Sequence, residues 1–285
     1  MWRRFWIGVA LLIMATGSDA AETSRRSFKT SDGVTLSFIE AGQKFANRND
    51  LLIALIPGWS MPATIWREQI DAFGRHYHTV AFDPRGQGGS EVPAGGYTAE
   101  RRATDLKELL EPFSKILLIG WSLGAIESLQ YAHMFGSERL AGMVLVDSSV
   151  GEEPAPKPGG DFKQRLRENR DQALRDFMRA IFVKPPSDTE VADLVKVAKR
   201  MPLDESLALL DYPFERVHWR NIARTFKKPL LYVVTPQFEA QAANLKKNRP
   251  GTQVEVFKKA GHALFADEPE RFNRLIEKFA QKISR

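Results

Sequence analysis

Short apolar runs that alternate with helical patterns limit the folds open to this chain more than any other feature of its sequence. Near-continuous apolar runs occur at residues 51–56, 79–82, 116–119, 143–146 and 230–234. Such runs are typical of strands in a parallel sheet that helices cover on both faces. Helical patterns, with apolar residues three or four positions apart, lie between them at 99–110 and 123–135. This alternation predicts an α/β fold with a doubly wound, mostly parallel sheet.

Two further strand candidates and one further helix flank this series. Residues 34–39 alternate between apolar and polar side chains, which indicates a half-exposed strand. Residues 253–257 are the other strand candidate, and 268–279 form the other helical pattern. The series of strands and helices therefore reaches almost to the C-terminus.

The N-terminal segment has the pattern of an export signal. Arg3 and Arg4 precede an apolar stretch at residues 5–15, and small residues flank Asp19 in the sequence Ser-Asp-Ala that ends at Ala20. This order predicts a signal peptide removed after Ala20, and hence a periplasmic or secreted protein. The apolar stretch is shorter than the ~20 residues that a membrane span needs, so we expect no stable membrane insertion after cleavage. An uncleaved anchor is the alternative.

The alternation of strands and helices stops between residues 150 and 226. A Pro- and Gly-rich stretch is followed there by charged helical patterns at 161–183, 188–200 and 204–225. Because this segment is short and interrupts the series, we expect a helical lid inserted between two strands rather than a separate domain. The predicted organisation is a signal peptide at 1–20, a core formed by 21–150 and 227–285, and a lid at 151–226.

Composition excludes several classes of function. The formal net charge is +6, but the basic residues are spread along the chain instead of clustered with aromatic ones, so we expect no nucleic-acid partner. The chain has no Cys, which excludes disulfides, thiolate zinc sites and a thiol nucleophile. No group of His and carboxylate residues has metal-ligand spacing. We therefore expect neither a metal nor a cofactor, and the sequence leaves the oligomeric state open.

The strongest motif lies at residues 116–125, which read ILLIGWSLGA. It is G-x-S-x-G between a buried strand pattern and a helical pattern. Glycines at these positions let backbones approach closely around a strained turn, so that the serine Oγ protrudes at the helix N-terminus. Ser122 is therefore the candidate nucleophile. An ordinary Gly-rich turn between strand and helix is the alternative.

A serine nucleophile needs a base, and His262 is the best placed of the five histidines. It follows the last predicted strand, so it is expected at the carboxyl edge of the sheet, where Ser122 also lies. From there it can take the serine proton and later return it to the leaving group. The remaining histidines are expected to be surface or structural residues.

Two further segments extend these motifs into a family resemblance. Residues 55–60 read LIPGWS, and residues 83–90 read DPRGQGGS. Together with G-x-S-x-G and the GHALFADEP segment at 261–269, they resemble the α/β-hydrolase superfamily, and within it the non-haem haloperoxidase and esterase branch. The resemblance runs from about residue 28 to the C-terminus. It implies the α/β-hydrolase fold.

The resemblance also implies an oxyanion hole built from the backbone N–H groups of Trp59 and Leu123. Leu123 directly follows the nucleophile at a helix start, where N–H groups are free. Trp121 and Phe265 are candidates for lining an apolar acyl pocket, with plain core packing as the alternative for each. Pro57 and Gln87 stand where the family usually has His, which argues against those local hydrogen bonds.

A catalytic triad also needs an acid that orients His262, and here the sequence departs from the family pattern. The usual position of the acid, after the strand that follows the lid, falls near Phe238, and Thr235-Pro236 resembles a helix start there. Asp147 ends the preceding strand, where a minority of the superfamily carries its acid. We therefore expect Asp147 to be the acid, with Glu239 as the second candidate. A carboxylate that only caps its loop is the alternative role for Asp147.

These residues predict a serine hydrolase that cleaves a small ester or related acyl bond, with a small-molecule acyl substrate as its partner. Two other functions stay open at this point. One is a haloperoxidase-like perhydrolase or a cofactor-free oxygenase on the same fold. The other is a non-catalytic periplasmic binding protein, which only the missing usual acid supports.

Overall fold

One sheet of eight strands organises the computed structural model, which describes residues 21–46, 50–156 and 160–284. The predicted signal peptide, residues 1–20, lies outside the described residues. The strands are β1 Thr23–Lys29, β2 Thr35–Ala41, β3 Leu52–Ile56, β4 His78–Asp83, β5 Ile116–Trp121, β6 Leu140–Val146, β7 Leu230–Val234 and β8 Thr252–Val256.

The strand order is β1-β2-β4-β3-β5-β6-β7-β8. Strands β1, β2 and β4 pair antiparallel, whereas every pair from β4 to β8 is parallel. The predicted mostly parallel sheet is therefore confirmed. Because β3 to β8 run in the same direction, the loops after β3, β5, β6 and β8 meet at one edge of the sheet.

Eleven α-helices complete the described part of the chain. They are α1 Arg67–Gly74, α2 Ala99–Leu110, α3 Leu123–Phe135, α4 Phe162–Glu168, α5 Arg170–Ala180, α6 Asp188–Ala198, α7 Leu203–Ala208, α8 Arg216–Thr225, α9 Glu239–Asn248, α10 Leu264–Asp267 and α11 Pro269–Ser284. Within the described ranges, none of them has both the length and the apolar character required to cross a membrane.

Two apolar clusters lie on opposite faces of the sheet, because successive strand residues point to opposite sides. Ile53 and Leu55 of β3 belong to the cluster that α1 and α11 cover. Leu52 and Ala54 belong to the other cluster, which α2 and α3 cover. Helices on both faces explain why these central strands are apolar at every position.

Helices α4 to α8, here called the inserted helices, all lie between β6 and β7. The described residues of this segment contain no strand, in keeping with its charged helical patterns. Leu174 and Met178 of α5 and Val191 of α6 are buried in the cluster with α1 and α11. The inserted helices therefore share the core of the sheet, and their action as a lid stays a prediction.

Candidate active site

Ser122 occupies a strained turn between β5 and α3. Its φ of 54° and ψ of −119° lie outside the regions that L-residues usually adopt. A Cβ at Gly120 would lie 2.2 Å from Gly124 O, and one at Gly124 would lie 2.5 Å from Ile56 O. The two glycines are thus required for this turn to pack against the end of β3. The Ser122 side chain, at the N-terminus of α3, is only partly buried.

His262 lies in the loop between β8 and α10, beside Ser122. Its Nε2 is 2.9 Å from Ser122 Oγ. The Trp121 indole Nε1 donates to the backbone carbonyl of His262 over 2.9 Å. Trp121 directly precedes the serine, so the same turn that presents Oγ also anchors the loop of the base.

Asp147 reaches the other nitrogen of the imidazole. Its Oδ2 is 2.8 Å from His262 Nδ1, and its side chain is 1% exposed. An ionised carboxylate only accepts hydrogen bonds, so Nδ1 carries the proton and Nε2 is left to accept the serine O–H. The contact predicted between Asp147 and His262 is present. Phe238, at the usual acid position, is buried, and Glu239 is exposed at the start of α9.

The loop after β6 holds Asp147 in an unusual backbone conformation, with φ of 42°. Its Oδ1 accepts from the Thr235 N–H over 2.6 Å, which ties it to the end of β7. Tyr232 of β7 donates its O–H to the carbonyl of Ser148 over 2.5 Å. Burial, with the Asp147 charge as a lesser cause, raises the pKa of Tyr232 well above its ordinary range. The phenol therefore stays protonated and keeps donating.

A second carboxylate, Asp267, was not predicted as part of the site but holds the His262 loop to the inserted helices. Its Oδ2 accepts from Gly261 N–H over 2.8 Å, and Oδ1 accepts from Val183 N–H over 3.0 Å. Ala263 N–H donates to Ile181 O over 2.8 Å. The only sequence signal for this role was the position of Asp267 within the GHALFADEP segment.

The loop after β3 packs against the nucleophile. A Cβ at Gly58 would lie 3.2 Å from Ser122 Cβ, so the backbone before Trp59 packs directly against the serine. The Trp59 side chain points into the inserted helices, where its Nε1 donates to Ser206 O over 2.7 Å. Leu123 is the first residue of α3, so no earlier helical turn supplies a carbonyl acceptor for its N–H. Leu123 thus directly follows Ser122 in the chain, and Trp59 follows the glycine that packs against Ser122. Their role as oxyanion donors stays a prediction.

Gln87, which stands where the family usually has His, makes hydrogen bonds of its own. Its Nε2 donates to Gly58 O over 3.0 Å and to Met61 O over 2.7 Å. Its Oε1 accepts from Arg102 Nη2 over 3.0 Å. A Gln amide supplies two N–H donors and an acceptor oxygen, so this buried side chain is hydrogen-bonded without a His at its position.

Trp121 and Phe265, the two candidates for an acyl pocket, lie in a buried aromatic cluster. Phe265 stacks on Trp66 with ring centroids 3.9 Å apart, and Trp121 meets Phe265 edge-on at 5.0 Å. Both rings are almost fully buried, at 1% and 0% exposure. Phe265 makes core contacts, and Trp121 contacts both this cluster and His262. A role in a substrate pocket stays a prediction for each.

Known proteins are similar to this chain along most of its length. The model of the alpha/beta hydrolase family matches residues 53–275. The pimeloyl-[acyl-carrier protein] methyl ester esterase of Yersinia enterocolitica is 26% identical over 252 residues, which cover 82% of this chain and 94% of that protein.

Two solved structures are similar along most of the chain. One is a Burkholderia cenocepacia protein provisionally described as an aryl esterase, with a TM-score of 0.79, 26% identity, and coverage of 91% of this chain and 98% of that one. The other is a bromoperoxidase from Bacillus anthracis, with a TM-score of 0.78, 20% identity, and coverage of 90% and 100%. The bromoperoxidase shows the shared fold alone.

Proposed function

The chain belongs to the alpha/beta hydrolase family and is a hydrolase, and on that premise we propose that it is a serine esterase acting through an acyl-enzyme intermediate. One observation carries this proposal, namely the continuous chain of contacts from Asp147 through His262 to Ser122. A buried carboxylate, an imidazole and a hydroxyl in this order form the arrangement that activates serine nucleophiles.

Acylation starts as Ser122 Oγ attacks the ester carbonyl carbon. His262 Nε2 takes the hydroxyl proton in the same step, and the resulting imidazolium is stabilised by Asp147. The carbonyl oxygen becomes an oxyanion that the N–H groups of Trp59 and Leu123 bind. His262 then gives its proton to the departing alcohol as the ester bond breaks.

Deacylation repeats this chemistry with water as the nucleophile. His262 deprotonates the water, which attacks the acyl carbon on Ser122. The second tetrahedral intermediate uses the same two amides, and the serine leaves with the proton from His262. The products are the carboxylic acid and free enzyme, and no cofactor takes part in the proposed reaction.

The proposed substrate is a small ester. The names of two relatives at 26% identity, a pimeloyl-[acyl-carrier protein] methyl ester esterase and a protein described as an aryl esterase, support an ester as the bond that is cleaved. The alternative of a non-catalytic binding protein rested only on the missing usual acid, and the contact of Asp147 with His262 supports Asp147 as that acid.

The test uses a fluorophosphonate probe, which reacts only with an activated serine, and a panel of p-nitrophenyl esters of graded acyl length. Wild-type protein should be labelled and should hydrolyse at least the short esters. Ser122→Ala should abolish labelling and lower turnover by several orders of magnitude, with the circular dichroism spectrum unchanged. A folded Ser122→Ala variant that still hydrolyses the esters would contradict the proposal.

We also propose that the protein is exported and cleaved after Ala20, as the pattern of residues 1–20 indicates. One contact supports this site, since Ala21 N donates to Asp71 Oδ1 over 2.8 Å. After cleavage the same nitrogen is an ammonium group that pairs with this carboxylate. Protein from the envelope fraction should begin at Ala21 by N-terminal sequencing. An intact Met1 on soluble cytoplasmic protein would show that the proposal is wrong.

A further inference from the structure

We propose that Gln87 is a positioning residue that orients the Trp59 N–H toward the oxyanion. The inference rests on the proposed function, because it assigns a role to a residue that supports the oxyanion hole. Gln87 lies outside the Ser122, His262 and Asp147 chain, in the loop after β4, and its side chain is buried at 2% exposure.

Gln87 donates both hydrogen bonds of its side-chain amide to one turn. The turn runs from Gly58 to Met61, and Met61 N–H donates to Gly58 O over 3.2 Å. Gln87 Nε2 donates to the carbonyls of the first and last residues of this turn, over 3.0 Å and 2.7 Å. The side chain therefore clamps the two ends of the turn together.

The clamp acts on the peptide unit that carries the proposed donor. Gly58 O and Trp59 N–H belong to one planar, trans peptide, so they point in opposite directions from it. Holding Gly58 O on the Gln87 side thus directs Trp59 N–H to the other side. The backbone at Gly58 packs against Ser122, whose Cβ lies 3.2 Å from the place of a Cβ at position 58.

The turn needs this support because it contains a strained residue. Ser60 has φ of 58°, a left-handed conformation that is unfavourable for a residue other than glycine. Without the two hydrogen bonds from Gln87, the turn could relax by rotating its peptides. Such a rotation would move the Trp59 N–H from the direction that catalysis requires.

The orientation of the Gln87 amide is itself fixed by a buried ion pair. Its Oε1 accepts from Arg102 Nη2 over 3.0 Å, and Arg102 Nε donates to Glu127. Glu127 also accepts from the Tyr212 O–H over 3.0 Å. Reversing the amide would place its NH₂ group against the guanidinium and its oxygen against two carbonyls. Only one orientation satisfies every partner.

The experiment compares Gln87→Met and Gln87→His with wild type, using the best p-nitrophenyl ester. Met has a similar length and no N–H donor, so kcat should fall by about 10- to 100-fold with KM little changed. A trifluoromethyl ketone binds as a tetrahedral oxyanion, and its inhibition constant should rise by the same factor. Gln87→His keeps an N–H donor, so its kcat should be much closer to that of wild type than the kcat of Gln87→Met is.

Gln130→Met is the matched control. Gln130 is a buried Gln on α3 whose Oε1 is 3.0 Å from His218 Nε2, outside the proposed active site. This variant should lose a similar amount of stability while its kcat stays that of wild type. Should Gln87→Met not fold, Gln87→Glu keeps the side-chain length and an acceptor for Arg102 and must show the same loss of kcat.

Three results would overturn the inference: unchanged kcat in a folded Gln87→Met variant, a rise in KM alone, or an inhibition constant that does not follow kcat. Failure of the proposed function looks different. In that case wild-type protein itself neither hydrolyses the esters nor reacts with the fluorophosphonate.

Discussion

Asp147 is a buried carboxylate whose two oxygens have different partners. Oδ2 contacts His262 Nδ1 at 2.8 Å, and Oδ1 accepts from Thr235 N–H at 2.6 Å. The sequence presented an acid of the triad and a loop cap as alternatives, whereas one side chain makes both contacts. Sequence motifs identified Ser122 and His262. No sequence pattern identifies a contact between two residues that are 115 positions apart, as Asp147 and His262 are. Asp147 was therefore predicted from the absence of an acid at the usual position and from its own place at the end of the preceding strand.

Asp147→Asn should lower kcat by up to about 10⁴-fold, because an amide NH₂ facing Nδ1 favours the wrong tautomer of His262. Steady-state hydrolysis of a p-nitrophenyl ester measures this effect. Glu239→Gln is the control, since that side chain is exposed at the start of α9 and should leave kcat unchanged. A large loss in Glu239→Gln, with Asp147→Asn active and folded, would reverse the assignment of the acid.

At the scale of strands and helices, the sequence predicted best those strands that are buried on both faces of the sheet. The apolar runs and helical patterns coincide with β3 to β7, α2 and α3 to within a few residues. β1 was missed because its sequence, TSRRSFK, is mostly polar. It is an edge strand with no fully buried residue, so no apolar pattern identifies it. Its strand structure comes from antiparallel pairing with β2, which is a tertiary contact.

The packing of α3 against β3 gives a prediction at this scale. An alanine Cβ at position 124 would lie 2.5 Å from Ile56 O and 2.6 Å from Pro57 O, and backbone carbonyls cannot move aside. Gly124→Ala should therefore cost roughly 1–3 kcal/mol of unfolding free energy and lower kcat by displacing the serine turn. Urea denaturation and ester hydrolysis measure the two effects. Gly251→Ala, where the Cβ meets nothing within 4 Å, should change neither.

Across the whole molecule, a charged cluster ties the antiparallel edge of the sheet to the helical layer. Ser31, in the turn between β1 and β2, donates its N–H to Glu108 Oε2 of α2 over 2.7 Å. Arg101 donates to Glu108 Oε1 over 2.7 Å. Asp32 of the same turn pairs with Arg85 at 3.0 Å. Arg85 belongs to the DPRGQGGS segment, which resembled a family motif. That resemblance did not predict any of these long-range pairs.

This cluster predicts how stability depends on pH. Burial alone would raise the pKa of Glu108, but hydrogen bonds from Ser31 and Arg101 outweigh it and lower the pKa below its ordinary value of 4.5. The pKa of Asp32 is lowered in the same way, with burial opposed by Thr30 and Arg85. A carboxyl group with a lowered folded-state pKa binds more protons when unfolded. Its stabilisation is therefore complete above the unfolded value and is lost as pH falls through the folded one.

The free energy of unfolding, measured by urea denaturation, should thus fall as pH decreases below about 4.5. Glu108→Gln should be less stable than wild type at pH 7, because the Arg101 ion pair is lost. The difference between the two proteins should shrink as pH falls below about 4.5, because unfolded wild type then binds a proton at Glu108 more readily than folded wild type does. Glu239→Gln, a change at an exposed carboxylate, should follow the wild-type curve throughout. A constant difference between Glu108→Gln and wild type from pH 7 to pH 3 would mean that the Glu108 charge does not hold the β1–β2 turn to α2.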